Sequence, residues 1–326
     1  MHKGRNNLAG ISLILLDSIA IATLYALTKF VTQDIKSSYV VFLYKFFLLI
    51  LVLPYVFHKG GLNNIRTPHF KVHLLRGFFS VGGSLCFMYG LQFVNLLDAT
   101  VLQNVEQVVL VIVGLIFFHE KMSTTKIVCI LISGIGVLII VKPDIVYMNN
   151  FNILSSEINH GYFFILLATM FWVCNNIVIK KLGQKSTNKA QLFYLMLFSS
   201  MFAYPVAFLK WGSFELAGIG LWIPTETVSL VDIGISITHI KLVLFMSLCY
   251  LIHSVALFNA FKFGEFSVVM PFVYFKLVWA GIFGYVLFST TPQSASWIGY
   301  VFITIAGILL MNREIRNRRK RIQDNV

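Results

Sequence analysis

Asp17, Lys45, Glu106 and Lys276 each stand near the middle of a long apolar run. An ionisable side chain is costly in such a place and is a functional candidate by default. Two are acidic and two basic, so they can neutralise one another or hold the opposite charges of a zwitterionic ligand. Groups suited to a polar ligand accompany them: Tyr89 and Gln103 in the first half, Trp172, Asn175 and Asn176 at the start of the second, Asn259 and Tyr274 further on. Adjacent Asn175 and Asn176 would point about 100° apart on a helix, so a single groove would not take both fully. Aromatic faces can stack a planar ring or hold a cation. These eleven residues form the predicted substrate-binding set. His253, alone in mid-run, reads as a hydrogen-bonding group rather than a metal ligand. No catalytic set, metal or cofactor is expected.

The elements that position these groups follow from composition. Of the 326 residues, 58% are hydrophobic and 12% charged, about half the roughly 25% charged residues of a soluble domain. Lipid in place of water around most of the chain explains the deficit. The net charge of +13 would suit nucleic acid only if it formed a basic groove on a soluble face. Here the basic residues sit in short segments between apolar runs, so the bilayer is the expected partner and nucleic acid is not. Cys86, Cys129, Cys174 and Cys249 all fall inside apolar runs without metal-type spacing, and read as small buried hydrophobes.

Ten segments meet the requirement of about 20 mostly apolar residues for a spanning helix: 9–31, 38–57, 73–93, 98–118, 124–141, 160–181, 190–209, 241–262, 267–288 and 295–312. Gly60-Gly61 with Pro68, Lys142-Pro143, Gly183 and Thr291-Pro292 mark breaks between them, and residues 210–240 form the longest polar-leaning one. The first segment is too long for a signal peptide, carries Asp17 and lacks a small-residue cleavage site, so it reads as a retained helix. With the N-terminus in the cytoplasm, 19 of the 26 Lys and Arg fall on the inside, Arg76 among them, and 5 on the outside, Lys29 among them. That bias predicts an inner-membrane protein with both ends cytoplasmic. The tail after Met311 reads as a basic stop beside anionic lipid.

The chain also resembles itself. At an offset of 151, residues 10–59 match residues 161–210 at 11 positions, including Gly10/Gly161, Lys29/Lys180, Gln33/Gln184 and Pro54/Pro205. Beyond the long break the offset becomes 170 and aligns Ser84/Ser254, Phe93/Phe263, Val108/Val278 and Gly114/Gly284. The predicted fold is therefore an all-α membrane protein of ten transmembrane helices, built as two repeats, residues 1–145 and 146–326. Five spans is an odd number, so the second copy enters from the opposite side, an architecture that places a substrate site near the midplane between the halves. The same offset makes Glu106 and Lys276 equivalent. They either flank the central cavity and bind opposite charges or form a salt bridge that locks the halves. Asp17, whose equivalent is Ala168, is the nominee for proton coupling if Glu106 stays paired.

Arg76-Gly77, Phe87-Met88-Tyr89-Gly90-Leu91-Gln92-Phe93, Asp98-Ala99-Thr100, Phe117-Phe118-His119-Glu120 and Gly134-Ile135-Gly136-Val137-Leu138 before Lys142-Pro143 together resemble the ten-helix drug/metabolite transporters of EamA type. Within that family the chain looks closest to the S-adenosylmethionine uptake transporters of intracellular bacteria. Two departures stand out: Thr291 occupies the place of Glu120 in the second half, and Lys45 stands where many relatives have Arg. The resemblance implies a secondary transporter for a small polar or zwitterionic metabolite, S-adenosylmethionine-like or amino-acid-like, working as monomer or homodimer. An exporter of drugs or hydrophobic metabolites and a non-transporting scaffold are the alternatives. An enzyme is not expected, since HExxH, GxSxG and paired carboxylates at catalytic spacing are lacking. A channel would favour a ring of like charges over this mixed set.

Overall fold

The computed structural model describes residues 7–58, 65, 67, 69–117, 124–141, 159–182, 188–216, 219–227, 235–263 and 270–323. In chain order the helices are α1 (Asn7–Val31), α2 (Ser37–Phe57), α3 (Phe70–Leu91), α4 (Leu96–Gln103), α5 (Val105–Phe117), α6 (Thr124–Val141), α7 (His160–Leu182), α8 (Asn188–Phe208), α9 (Ile237–Phe263), α10 (Phe275–Phe288) and α11 (Ser296–Gln323). A 3-10 turn, Met270–Tyr274, leads into α10. Six helices, α1, α2, α3, α7, α8 and α9, are long and apolar enough to cross a bilayer, and shorter apolar stretches occupy Lys126–Val141, Phe272–Phe288 and Ser296–Leu309. Large apolar side chains such as Leu131, Phe163, Met201 and Val286 stand exposed on the outside of the bundle. Surface of that kind is stable against lipid and not against water. The protein is a multi-pass membrane protein.

Four expectations are corrected in detail. The predicted segment 98–118 is not one helix: it breaks at Asn104, whose N–H bonds the Val101 carbonyl at 2.9 Å and whose own carbonyl accepts from Gln107 at 3.2 Å. Both are i to i−3 bonds, so the chain tightens for one turn and restarts. Of the segment 267–288, the described residues open on the 3-10 turn that contains Pro271, a residue with no N–H to give a ladder, and the α-helix starts only at Phe275. The break at 210–240 is partly ordered as an antiparallel hairpin, β1 (Leu209–Leu216) with β2 (Ile219–Thr227), irregular at Lys210/Trp211, where Trp211 faces Pro224. Lastly, α11 runs past residue 312 to Gln323, because Arg and Lys are good helix formers and favour a helix C-terminus. Gly60-Gly61, Pro68, Phe118-His119-Glu120, Lys142-Pro143 and Gly183 lie outside the described residues.

Non-sequential pairs hold the bundle together: α1 packs on α9 and α10, α3 on α7 and α8, α2 on α8 and α9, α6 on α11, and α4 on α10. Two crossings bring backbone to backbone through glycine, the usual way to close approach in lipid. A Cβ on Gly90 would lie 2.7 Å from the Gly161 carbonyl oxygen, and one on Gly161 would lie 2.9 Å from that of Gly90. Gly136 of α6 and Gly299 of α11 meet in the same reciprocal way. Gly90→Leu is expected to force α3 and α7 apart and cost about 1–3 kcal/mol, read as a lowered melting temperature in detergent. An unchanged melting temperature would contradict the crossing.

Candidate substrate chamber

A cavity of about 410 Å³ lies between α1, α2, α3, α4, α5, α7, α8 and α9. Its walls carry helical stripes. On α3 these are Arg76, Ser80, Ser84 and Phe87, spaced three or four apart so that they share one face. Tyr250, His253 and Leu257 do the same on α9, and Ile21, Leu24, Tyr25 and Thr28 on α1.

Six of the eleven predicted residues line this space: Lys45, Gln103, Glu106, Trp172, Asn175 and Asn176. Glu106 sits in the first turn of α5, directly after the break, where the helix N-terminus favours an anion. The Asn176 amide donates to its Oε1. Gln103 donates to the Tyr25 hydroxyl at 2.6 Å. Asn175 and Asn176 both reach the chamber despite being adjacent, because the cavity wraps the edge of α7. The Asn175 Oδ1 is buried without a hydrogen-bond partner among the described residues.

Two more predicted residues stand one layer behind. Asp17, 3% exposed, contacts the Nδ1 of His253 with its carboxylate, and His253 itself lines the chamber. Lys276 donates to Gln103 Oε1 at 3.4 Å. Among the described residues the ion pairs within 4.0 Å are Asp17–His253 and Asp34–His239, so Glu106 and Lys276 do not touch. Gln103 stands beside the lysine instead. The remaining three lie elsewhere. Tyr89 is 39% exposed and lines a separate surface pocket with Lys36 and Phe164. Asn259 spends its amide on the Val255 carbonyl of its own helix at 3.0 Å. Tyr274 donates to Gln107 at 3.3 Å from the end of the 3-10 turn.

Other polar groups of the interior were not among the eleven. Arg76, expected on the cytoplasmic side, lines the chamber and donates through Nη1 to the Gln191 carbonyl at 3.3 Å. Its spacing to Ser80 and Ser84 was the available signal. Lys29, counted on the external side of the membrane, is buried at the end of α1, where its ammonium donates to the Val94 carbonyl and lies 5.5 Å from the Phe288 ring. Near it the buried Asp98 receives the Tyr162 hydroxyl at 2.9 Å and the Tyr300 hydroxyl, joining α4, α7 and α11. The four cysteines are free.

Comparisons with known proteins agree with this architecture. The pattern of the EamA-like transporter family matches residues 8–142 and again residues 159–313. The S-adenosylmethionine uptake transporter of Rickettsia felis is 26% identical over 310 residues, covering 94% of each chain. The riboflavin transporter of Vibrio cholerae is 24% identical over 314 residues, covering 96% of this chain and 93% of its own. One solved crystal structure shares the fold with a TM-score of 0.55 at 14% identity, covering 95% of this chain and 98% of that one.

Proposed function

This chain belongs to the EamA-like transporter family, and we propose that it is a secondary transporter carrying a small polar or zwitterionic metabolite across the inner membrane by alternating access. The observation that carries the reading is the chamber, which holds a carboxylate, Glu106, and two basic groups, Lys45 and Arg76, around one cavity of about 410 Å³. Pockets of about 300–1,000 Å³ suit small molecules. Fixed charges of both signs suit a ligand that carries both. The names of the relatives make S-adenosylmethionine the first substrate to try.

The same reading takes the chain as ten spans in two inverted five-helix repeats, residues 1–145 and 146–326, with both termini cytoplasmic. Several features support it. Helices α2 and α8 are each 21 residues long and each has a proline three residues before its last, Pro54 before Phe57 and Pro205 before Phe208. The break at Asn104, just before Val105–Phe117, and Tyr274, the end of the 3-10 turn just before Phe275–Phe288, are separated by the repeat offset of 170. The packing of α1 on α9 has its counterpart in α7 on α3, as exchange of two repeats requires, while α2 on α8 maps to itself. Interrupted helices at corresponding positions of two halves are the best pointer to a carrier's binding site.

Uptake into proteoliposomes tests the function. Labelled S-adenosylmethionine, amino acids and riboflavin are offered with and without internal counter-substrate. Saturable S-adenosylmethionine uptake, displaced by excess unlabelled compound, is expected; movement of none of the panel would remove the substrate class. A reporter fused to the C-terminus is expected on the cytoplasmic face, and an external one would refute the odd-numbered repeat.

A further inference from the structure

We propose that Lys45 and Arg76 form a carboxylate subsite at one pole of the chamber, opposite a cation subsite at Glu106, so that the transported molecule must carry both charges. The inference deepens the transport reading and rests on it.

Lys45 is 2% exposed and lines the chamber. Its ammonium lies over two aromatic faces, 4.8 Å from the Tyr44 ring centroid and 5.4 Å from that of Tyr250. Among the described residues no carboxylate lies within 4.0 Å of it. Aromatic faces repay only part of what an ammonium loses on leaving water. The Arg76 guanidinium is in a similar position. Of its five donors, one reaches the Gln191 carbonyl at 3.3 Å, and Nε is buried without an acceptor among the described residues. The Tyr250 phenol lies within electrostatic reach of Arg76, so the same ring flanks both cations. Both cations line the same polar chamber, and among the described residues neither has a carboxylate within 4.0 Å. A carboxylate fits, because a planar guanidinium binds it in a fork and a lysine adds a point charge.

At the other pole, Glu106 accepts from Asn176, and Trp172 beside it offers an aromatic face. That pole suits an ammonium or sulfonium. Lys276 does not fill the role of the positive pole: it stands behind the chamber wall, bonded to Gln103 at 3.4 Å and within electrostatic reach of Glu106 and Asp17, so its charge is already balanced by carboxylates.

Binding to full-length protein in nanodiscs tests this with S-adenosylmethionine and its decarboxylated analogue, which keeps the sulfonium and the amine. Wild type is expected to prefer the carboxylate-bearing compound about 10- to 100-fold, the worth of one charge-assisted contact. Lys45→Met and Arg76→Gln should each shrink the preference to about threefold or less. Lys45→Arg should keep most of it, and serves if Lys45→Met fails to fold. Equal binding of both compounds, binding of neither, or an undiminished preference in the folded variants overturns the subsite. A preserved preference with no flux in proteoliposomes would overturn the transport reading instead.

Discussion

Replacing Glu106 with Gln is expected to lower the initial rate of uptake about 10- to 100-fold while leaving the protein folded. The substitution keeps size and shape, and the amide oxygen can still accept from Asn176, the bond the carboxylate makes now. What disappears is the charge. Glu106 stands in the first turn of α5, after the break at Asn104, where the helix end favours a negative group by about 0.3–1 kcal/mol. Losing that contribution is a small change in stability. Loss of a charge-assisted contact to a substrate cation is worth about 1.5–3 kcal/mol. The effect on transport should therefore far exceed the effect on melting. Lys276→Met makes the contrast. Its ammonium bonds Gln103 at 3.4 Å and acts on Glu106 and Asp17 only at longer range, and Gln103 in turn holds Tyr25 at 2.6 Å, so uptake should fall less than in Glu106→Gln. If Glu106→Gln transports within twofold of wild type, or if Lys276→Met alone abolishes uptake, the lysine and not the glutamate governs the chamber.

The spans were legible because hydrophobic length is a coarse quantity. The ends of α1, α6 and α7 fall within about two residues of the predicted segments, where helix assignments themselves vary by as much. The break at Asn104 was not legible, because the polar run Gln103-Asn104-Val105-Glu106-Gln107 reads equally well as the ligand-facing part of one continuous span and does not announce a change of hydrogen-bond ladder. Pro271 gave a hint of the 3-10 turn before α10, but prolines are tolerated in membrane helices, as Pro54 and Pro205 are here. Six chamber residues were found through polarity in an apolar setting. Arg76 was passed over for the opposite reason: a basic residue near a span's end satisfies the rule that fixes orientation, and the rule says nothing about which way it points. The Asp98 cluster needed the third dimension, since α4, α7 and α11 lie far apart in the chain and meet only through their packing.

Asp98→Ala is expected to cost about 3–5 kcal/mol, the usual price of breaking a buried charged network by removing one partner. Asp98 is 2% exposed. It takes the Tyr162 hydroxyl from α7 at 2.9 Å and the Tyr300 hydroxyl from α11, and the Lys29 ammonium lies within its electrostatic reach. With the carboxylate gone, two phenols lose their acceptor in an interior where water does not replace it. Lys29 keeps the Val94 carbonyl but loses its counter-charge. Asp98→Asn should cost less, because one amide oxygen still accepts a phenol. Tyr162→Phe and Tyr300→Phe should each cost about 1–2 kcal/mol, and together more than their sum, since in each single variant the carboxylate can concentrate on the donor that remains. Thermal melting of the purified variants, with the double-mutant cycle between the two tyrosines, measures all of these. If Asp98→Ala melts within a degree or two of wild type, the three helices are held by apolar packing and by the Gly136–Gly299 and Gly90–Gly161 crossings alone.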